Sequence, residues 1–229
     1  MNPQFRIAIV ATSAERMGEG GKPTGVWLEE LTSPYYALVD AGFLVDVYSM
    51  AGGTIPVDPN SMNEKGKNDA SVERYLDDPD ARERFAATLS AASIELANYD
   101  AVFLPGGHGT MWDFPSSATL ASIVAGMLAA GRPVGAVCHG PAGLVSAQFA
   151  DGTPVVAGKT VAGFSNSEEA SAGLTETVPF LLEDRLRSLG ANYRSGPDFE
   201  PFAVRDGLLV TGQNPASAGL TVNHLIEAL

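Results

Sequence analysis

The sequence predicts an α/β domain with a mostly parallel central sheet flanked by helices. Short strand-like runs alternate with helical periodicities through most of the 229 residues. The runs are continuously apolar rather than alternating, as in strands buried on both faces. There is no internal repeat and no composition shift marking a boundary, so residues 1–229 read as one domain.

Phe5 to Ala11 reads as a first, central strand. The polar, glycine-rich stretch 12–25 is a loop at its carboxyl end, where open α/β sheets bind ligands. Val26 to Gly42 has helical spacing and a closing glycine, with Pro34 early in the helix or at a break. Phe43 to Met50 is the second strand, followed by a turn-rich connection over 52–59. Residues 60–98 carry many charges, including Lys65, Lys67, Arg74 and Arg84, and predict a solvated, helical, cap-like excursion. Ala101 to Gly107 is the third strand with a Gly-Gly end, and His108 to Pro115 continues its loop. Ala118 to Ala130 is a helix closed by Gly131.

Pro133 to Val137 is the next buried strand, and Leu144 to Phe149 finishes the helix after it. Thr153 to Gly163 supplies a strand or two. Phe164 to Glu169 turns into a helix, and Val178 to Gly190 is an amphipathic helix. Phe202 to Thr211 is a hairpin around Asp206-Gly207. Asn214-Pro215-Ala216-Ser217 opens the last helix, Pro215 suiting its first turn.

The net charge is −13 and the pI about 4.5. That argues against nucleic-acid or anionic-membrane partners, which need a basic face. One cysteine excludes an intrachain disulfide and fits a reducing compartment. Met1-Asn2-Pro3-Gln4 runs into the first strand without a leader pattern. No apolar stretch approaches the ~18 residues of a membrane span. The expectation is a cytoplasmic protein.

The chemistry centres on Pro133-Val134-Gly135-Ala136-Val137-Cys138-His139-Gly140-Pro141. Small residues two before and two after Cys138 fit a nucleophile elbow, the tight strand-to-helix turn that presents a reactive side chain. A lone cysteine in an apolar run is commonly only a small hydrophobe. The adjacent histidine and the second glycine turn favour a reactive centre, its thiolate stabilised by the start of a helix. If the 101–107 strand lies beside the 133–137 strand, the Gly106-Gly107 turn opens on the same edge. Backbone N–H groups of Gly107 and His139 then form an oxyanion hole. His139 supplies a base, His108 lines the site, and His224 receives no role. The orienting acid comes from Glu29-Glu30 or Glu168-Glu169. No metal-ligand spacing, Walker loop, Gly-x-Gly-x-x-Gly or Gly-x-Ser-x-Gly is present.

Leu104-Pro105-Gly106-Gly107-His108-Gly109, Val137-Cys138-His139-Gly140-Pro141 and Gly212-Gln213-Asn214-Pro215-Ala216-Ser217 together resemble the ThiJ/PfpI superfamily, of class I glutamine amidotransferase-like, flavodoxin-like fold. The resemblance runs from first strand to last helix. Within it, the chain is similar to the branch of glyoxalase III enzymes and heat-inducible chaperones. The resemblance implies a triad of Cys138, His139 and Glu169, with Glu168 the neighbouring alternative, and a Glu30 carboxyl on the thiol. Gly107, with Gly106 and His108, falls on the oxyanion and substrate side. It implies cofactor-independent conversion of methylglyoxal to lactate, with deglycation a related activity, and a homodimer. A stress-response holdase and a PfpI-type cysteine peptidase or amidase are the alternatives. A glutamine amidotransferase is disfavoured, because His224-Leu225-Ile226-Glu227 has the wrong spacing from Cys138.

Overall fold

Strands that are apolar at every position need cover on both faces, and the fold supplies it. The computed structural model describes residues 5–229; Met1–Gln4, read above as lacking a leader pattern, lie outside the described residues. The main sheet has seven strands: β1 (Arg6–Ala11), β2 (Leu44–Ser49), β3 (Leu89–Ser90), β4 (Ala101–Leu104), β5 (Val134–Val137), β8 (Ala203–Asp206) and β9 (Leu209–Gly212). Their order is β3-β2-β1-β4-β5-β9-β8, parallel throughout except for the β8–β9 hairpin. A separate parallel pair joins β6 (Thr160–Val161) to β7 (Asn192–Tyr193).

Successive strand residues feed two cores, as a pleated strand requires. Ile7, Ile9, Phe103 and Val137 pack under α1 (Leu28–Asp40) and α8 (Ala218–Ile226), with Leu31, Leu38, Val222 and Leu225 opposite them. Ala8, Val10, Val102, Leu104 and Ala136 pack under α5 (Ala118–Ala129), against Leu120, Val124 and Met127. Burial of such side chains contributes roughly 1.5–3 kcal/mol each.

Several elements differ from the sequence reading. Pro34 breaks nothing: α1 runs unbroken through it. The 60–98 stretch is not merely a solvated helical excursion. Its α2 (Ala70–Asp77) and α3 (Pro79–Ala86) bury Val72, Ala81 and Phe85, α2 packs on α1, and Leu89–Ser90 adds the edge strand. Charge there coats one side of short amphipathic helices, which sequence counts alone cannot resolve. The loop after β4 contains a one-turn helix, α4 (Thr110–Asp113). The turn after β5 leads into a five-residue 3₁₀ helix, Gly140–Leu144, and no helix follows over 144–149. In the 166–188 region, α6 covers Asn166–Ser171 and α7 only Leu182–Ser188, since Pro179 suits the preceding turn. Among the described residues no helix is long and apolar enough to cross a membrane.

β4 and β5 are neighbours, pairing Leu104 with Ala136, so their carboxyl-end turns open side by side. Helix α1 begins beside them.

Candidate active site

The turn after β5 places Cys138 at φ +59°, in the left-handed region that a non-glycine residue rarely occupies. Such strain costs about 1–3 kcal/mol and persists only where the surroundings enforce it. Here the Cys138 N–H donates to the Gly212 carbonyl at 3.0 Å, and its own carbonyl accepts the Phe164 N–H at 2.8 Å. Thr110 Oγ1 donates to the His139 carbonyl at 3.0 Å and to the Gly107 carbonyl at 2.9 Å, tying the two turns together.

Cys138 is 3% exposed. Its Sγ lies 3.4 Å from His139 Nδ1, and His139 Nε2 lies 2.8 Å from Glu169 Oε2. The other carboxylate oxygen, Glu169 Oε1, is 2.9 Å from His108 Nε2, and the two imidazole rings stand 4.2 Å apart. Burial would raise the Glu169 pKa, but hydrogen bonds from His108 and His139 overcome it and hold the carboxyl at about 2. Burial, and then the neighbouring His108, push His139 down to about 4 despite Glu169. The pair is therefore a neutral imidazole donating to a carboxylate. The Nε2–H of His139 faces Glu169, and its Nδ1 lone pair faces the sulfur.

Glu30, fully buried on α1, also faces the sulfur. Its Oε2 accepts the Gly106 N–H at 2.8 Å, while its buried Oε1 has no partner of hydrogen-bond geometry. Burial drives the Glu30 pKa well above its ordinary value, so the group is a neutral carboxylic acid. Burial also raises the thiol, with the Gly107 N–H opposing it. The helix start expected beside the sulfur is only a short 3₁₀ segment, Gly140–Leu144.

Gly106 and Gly107 fit only as glycines. A Cβ on Gly106 would lie 2.6 Å from Glu30 Oε2 and 2.7 Å from the His139 nitrogen. Gly107 has φ +95°, and a Cβ there would lie 2.4 Å from the Gly25 carbonyl oxygen. This close approach brings the N–H groups of both turns to one edge of the sheet.

A cleft of about 630 Å³ opens over this edge, lined by Met17, Lys22, Trp27, Asn60, His108 and Leu174. His108 belongs both to this lining and to the Glu169 network. The roof comes chiefly from the loop after β1 and from residues 58–60 and 172–174. Helices α2 and α3 contribute nothing to it, and of the 60–98 stretch Asn60 lines it. A shallower depression of about 420 Å³ beside α5 carries no titratable side chain and lies apart from this chemistry.

The fold thus gathers Cys138, His139, Glu169, Glu30, Gly106, Gly107 and His108 in one place. Glu168 is elsewhere in function: it completes a capping box with Ser165 and accepts from Phe199 N–H and Asn214 Nδ2. Glu29 is half-buried away from the sulfur and raised to about 7, by burial and then Asp69. His224 sits on α8 near Glu227. Sequence reasoning missed Thr110, Lys22, Trp27 and Phe164, whose ring lies 4.5 Å from that of His139. The loop positions of Lys22 and Trp27, just before α1, were the available signal. Sequence spacing also gave no ligand cluster, yet His108, His139 and Glu169 bring their ligand atoms within 4.8 Å of one another. Their source in two separate turns and a helix explains why no spacing rule finds them.

The family model described as "DJ-1/PfpI family" matches residues 24–228. Glutathione-independent glyoxalase HSP31 of Saccharomyces cerevisiae is 32% identical over 219 residues, covering 91% of each chain. Glyoxalase 3 of Candida albicans is 30% identical over 237 residues, 97% of this chain and 98% of the relative. Among solved structures, Rapid Encystment Protein 24 kDa of Francisella tularensis superposes with TM-score 0.93 at 37% identity, over 98% of this chain and 99% of that one. Glyoxalase III from Candida albicans superposes with TM-score 0.90 at 27% identity, over 98% and 97%.

Proposed function

The chain belongs to the DJ-1/PfpI family, and from that premise we propose that it is a cysteine-dependent enzyme of glyoxalase III type, isomerising and hydrating methylglyoxal to lactate without glutathione. The reading further takes it as a cytoplasmic homodimer. Relatives of similar length named as glutathione-independent glyoxalases support the substrate class. The observation that carries the chemistry is the chain of contacts Cys138 Sγ–His139 Nδ1 at 3.4 Å and His139 Nε2–Glu169 Oε2 at 2.8 Å.

In this reading Cys138 attacks the aldehyde carbon while its proton passes to His139 Nδ1. Glu169 stays ionised and holds the imidazole in the tautomer that accepts this proton. The alkoxide forms against the N–H groups of Gly107 and His139, then takes the proton back to give a neutral hemithioacetal. His139 next removes the C1 hydrogen and returns a proton to C2, through an enediolate. C1 is thereby oxidised to a thioester and C2 reduced to an alcohol, so the step needs no external redox partner. Water then cleaves the thioester, with His139 as base, releasing lactate and the thiol. Neutral Glu30 donates toward the sulfur and the developing oxygen charge.

The sulfur's near-complete burial disfavours the peptidase alternative, because a polypeptide needs an open groove. The exposed large apolar side chains Val39, Leu44, Met62, Leu89, Phe199 and Leu220 are ordinary surface residues and give a holdase no particular support. The test is lactate formation from methylglyoxal without glutathione. Wild-type protein turns over and Cys138→Ala does not. Absent turnover, or turnover that survives Cys138→Ala, overturns the reading.

A further inference from the structure

We infer that His108, His139 and Glu169 form a transition-metal site, and that a zinc ion taken there silences the cysteine. The three ligand atoms lie within 4.8 Å of one another, and all three residues are buried. His108 Nε2 and His139 Nε2 each stand within 3 Å of a different oxygen of the same carboxylate, at 2.9 and 2.8 Å. Zinc–nitrogen and zinc–oxygen bonds of about 2.0–2.2 Å put tetrahedral ligands roughly 3.3–3.5 Å apart, so side-chain shifts of a few tenths of an ångström to about one ångström suffice. Two imidazoles and one carboxylate suit zinc and its neighbours, whereas magnesium and calcium want oxygen ligands throughout.

Access is through His108, which lines the 630 Å³ cleft. A water from the cleft fills the fourth position, as at zinc sites with three protein ligands. The chain's net charge of −13 draws cations toward it. The ion replaces the two contacts from the imidazoles to the Glu169 carboxyl with three bonds to a divalent cation.

Coordination through Nε2 requires each histidine's proton to leave that nitrogen. For His139 the proton passes to Nδ1, the nitrogen facing the sulfur at 3.4 Å. The base that receives the thiol proton then becomes an N–H donor. No electron transfer is involved, and the imidazole remains neutral.

The silencing half of this inference rests on the glyoxalase reading; the binding half does not. The experiment titrates the apo full-length chain with zinc chloride in competition with a chromophoric chelator, and in parallel measures methylglyoxal turnover. The expectation is one zinc per chain, affinity at least 30-fold weaker in His108→Asn, and affinity retained in Cys138→Ser. Circular dichroism of His108→Asn shows whether it is folded, and His108→Phe serves as the second ligand-deleting variant. Turnover of the wild type falls along the same zinc isotherm and returns with chelator. No saturable binding, equal affinity in both folded His108 variants, or loss of affinity in Cys138→Ser overturns the site. Saturable binding with unchanged turnover overturns the silencing. A protein that binds zinc as expected but never turns over methylglyoxal sinks the glyoxalase reading and leaves the site standing.

Discussion

Two buried glutamates at the candidate site, Glu30 facing Cys138 and Glu169 facing the imidazoles of His108 and His139, carry opposite charge states. Glu30 meets one backbone N–H, from Gly106, and leaves Oε1 without a partner. Glu169 meets an imidazole at each oxygen. Both lose water, which penalises the carboxylate. Only Glu169 has enough donors to offset that loss, so it stays charged while Glu30 holds its proton. Burial decides the charge of Glu30, while the two imidazoles facing Glu169 offset it there.

The largest expected effect comes from removing the charged member. Glu169→Gln frees the imidazole to take the wrong tautomer, and kcat/KM for methylglyoxal falls by about 10³-fold or more, as for the acid of other triads. Steady-state kinetics check this. Gly106→Ala strikes the neutral member instead: its Cβ would stand 2.6 Å from Glu30 Oε2 and 2.5 Å from the Val137 carbonyl oxygen. A loss of about 1–3 kcal/mol in urea unfolding is expected, with no comparable rise in flexibility at Glu169. Glu30→Gln is smaller again. An amide replaces a neutral acid of the same shape and still donates, so kcat/KM falls only about tenfold. Equal losses from Glu30→Gln and Glu169→Gln would break the comparison.

Acid sharpens it. His139 falls from an ordinary 6.5 to about 4 on folding, so the unfolded chain takes up its proton first, and stability declines as pH falls from about 6.5 toward 4. Glu169, lowered from 4.5 to about 2, adds a second loss as pH falls from 4.5 toward 2. Glu30, Glu29 and Asp113, whose pKa values are raised on folding, oppose His139 across the first window, so urea midpoints measured against pH should slope downward clearly only below about pH 4, through the Glu169 window. The same coupled pair puts the acid limb of kcat/KM below pH 5. The smallest effect belongs to Asn214→Ala, which deletes donors to Glu168 and the Glu200 carbonyl. It costs about 1 kcal/mol and leaves turnover near wild type.

The parallel sheet was legible because Ile7-Ala8-Ile9-Val10 and Val102-Phe103-Leu104 are apolar at every position, which only two-sided burial explains. The elbow was legible from small residues around Cys138, whereas the pairing of its strand with 101–104 entered only as a condition, which the structure meets. Helix ends were less so. Leu144–Phe149 and Val178–Leu181 have helical spacing, but turn geometry and Pro179 override local periodicity there. Within the site, Cys138 and His139 adjoin in sequence. Choosing Glu169 over Glu168 needed coordinates, because neighbours on a helix point about 100° apart and only one can reach the imidazole. The raised pKa of Glu30 depends on its burial in three dimensions, which no spacing encodes.

The cleft roof is assembled from the loop after β1 and from residues 58–60 and 172–174, while the sulfur, base and acid hang from the ends of β5 and α6. Only His108 is common to both. Substitutions in the roof can therefore retune which aldehyde is admitted without disturbing the reacting groups. Natural variation among such proteins has room to diversify diet while keeping the same machinery, and a designer could graft new roofs onto this floor.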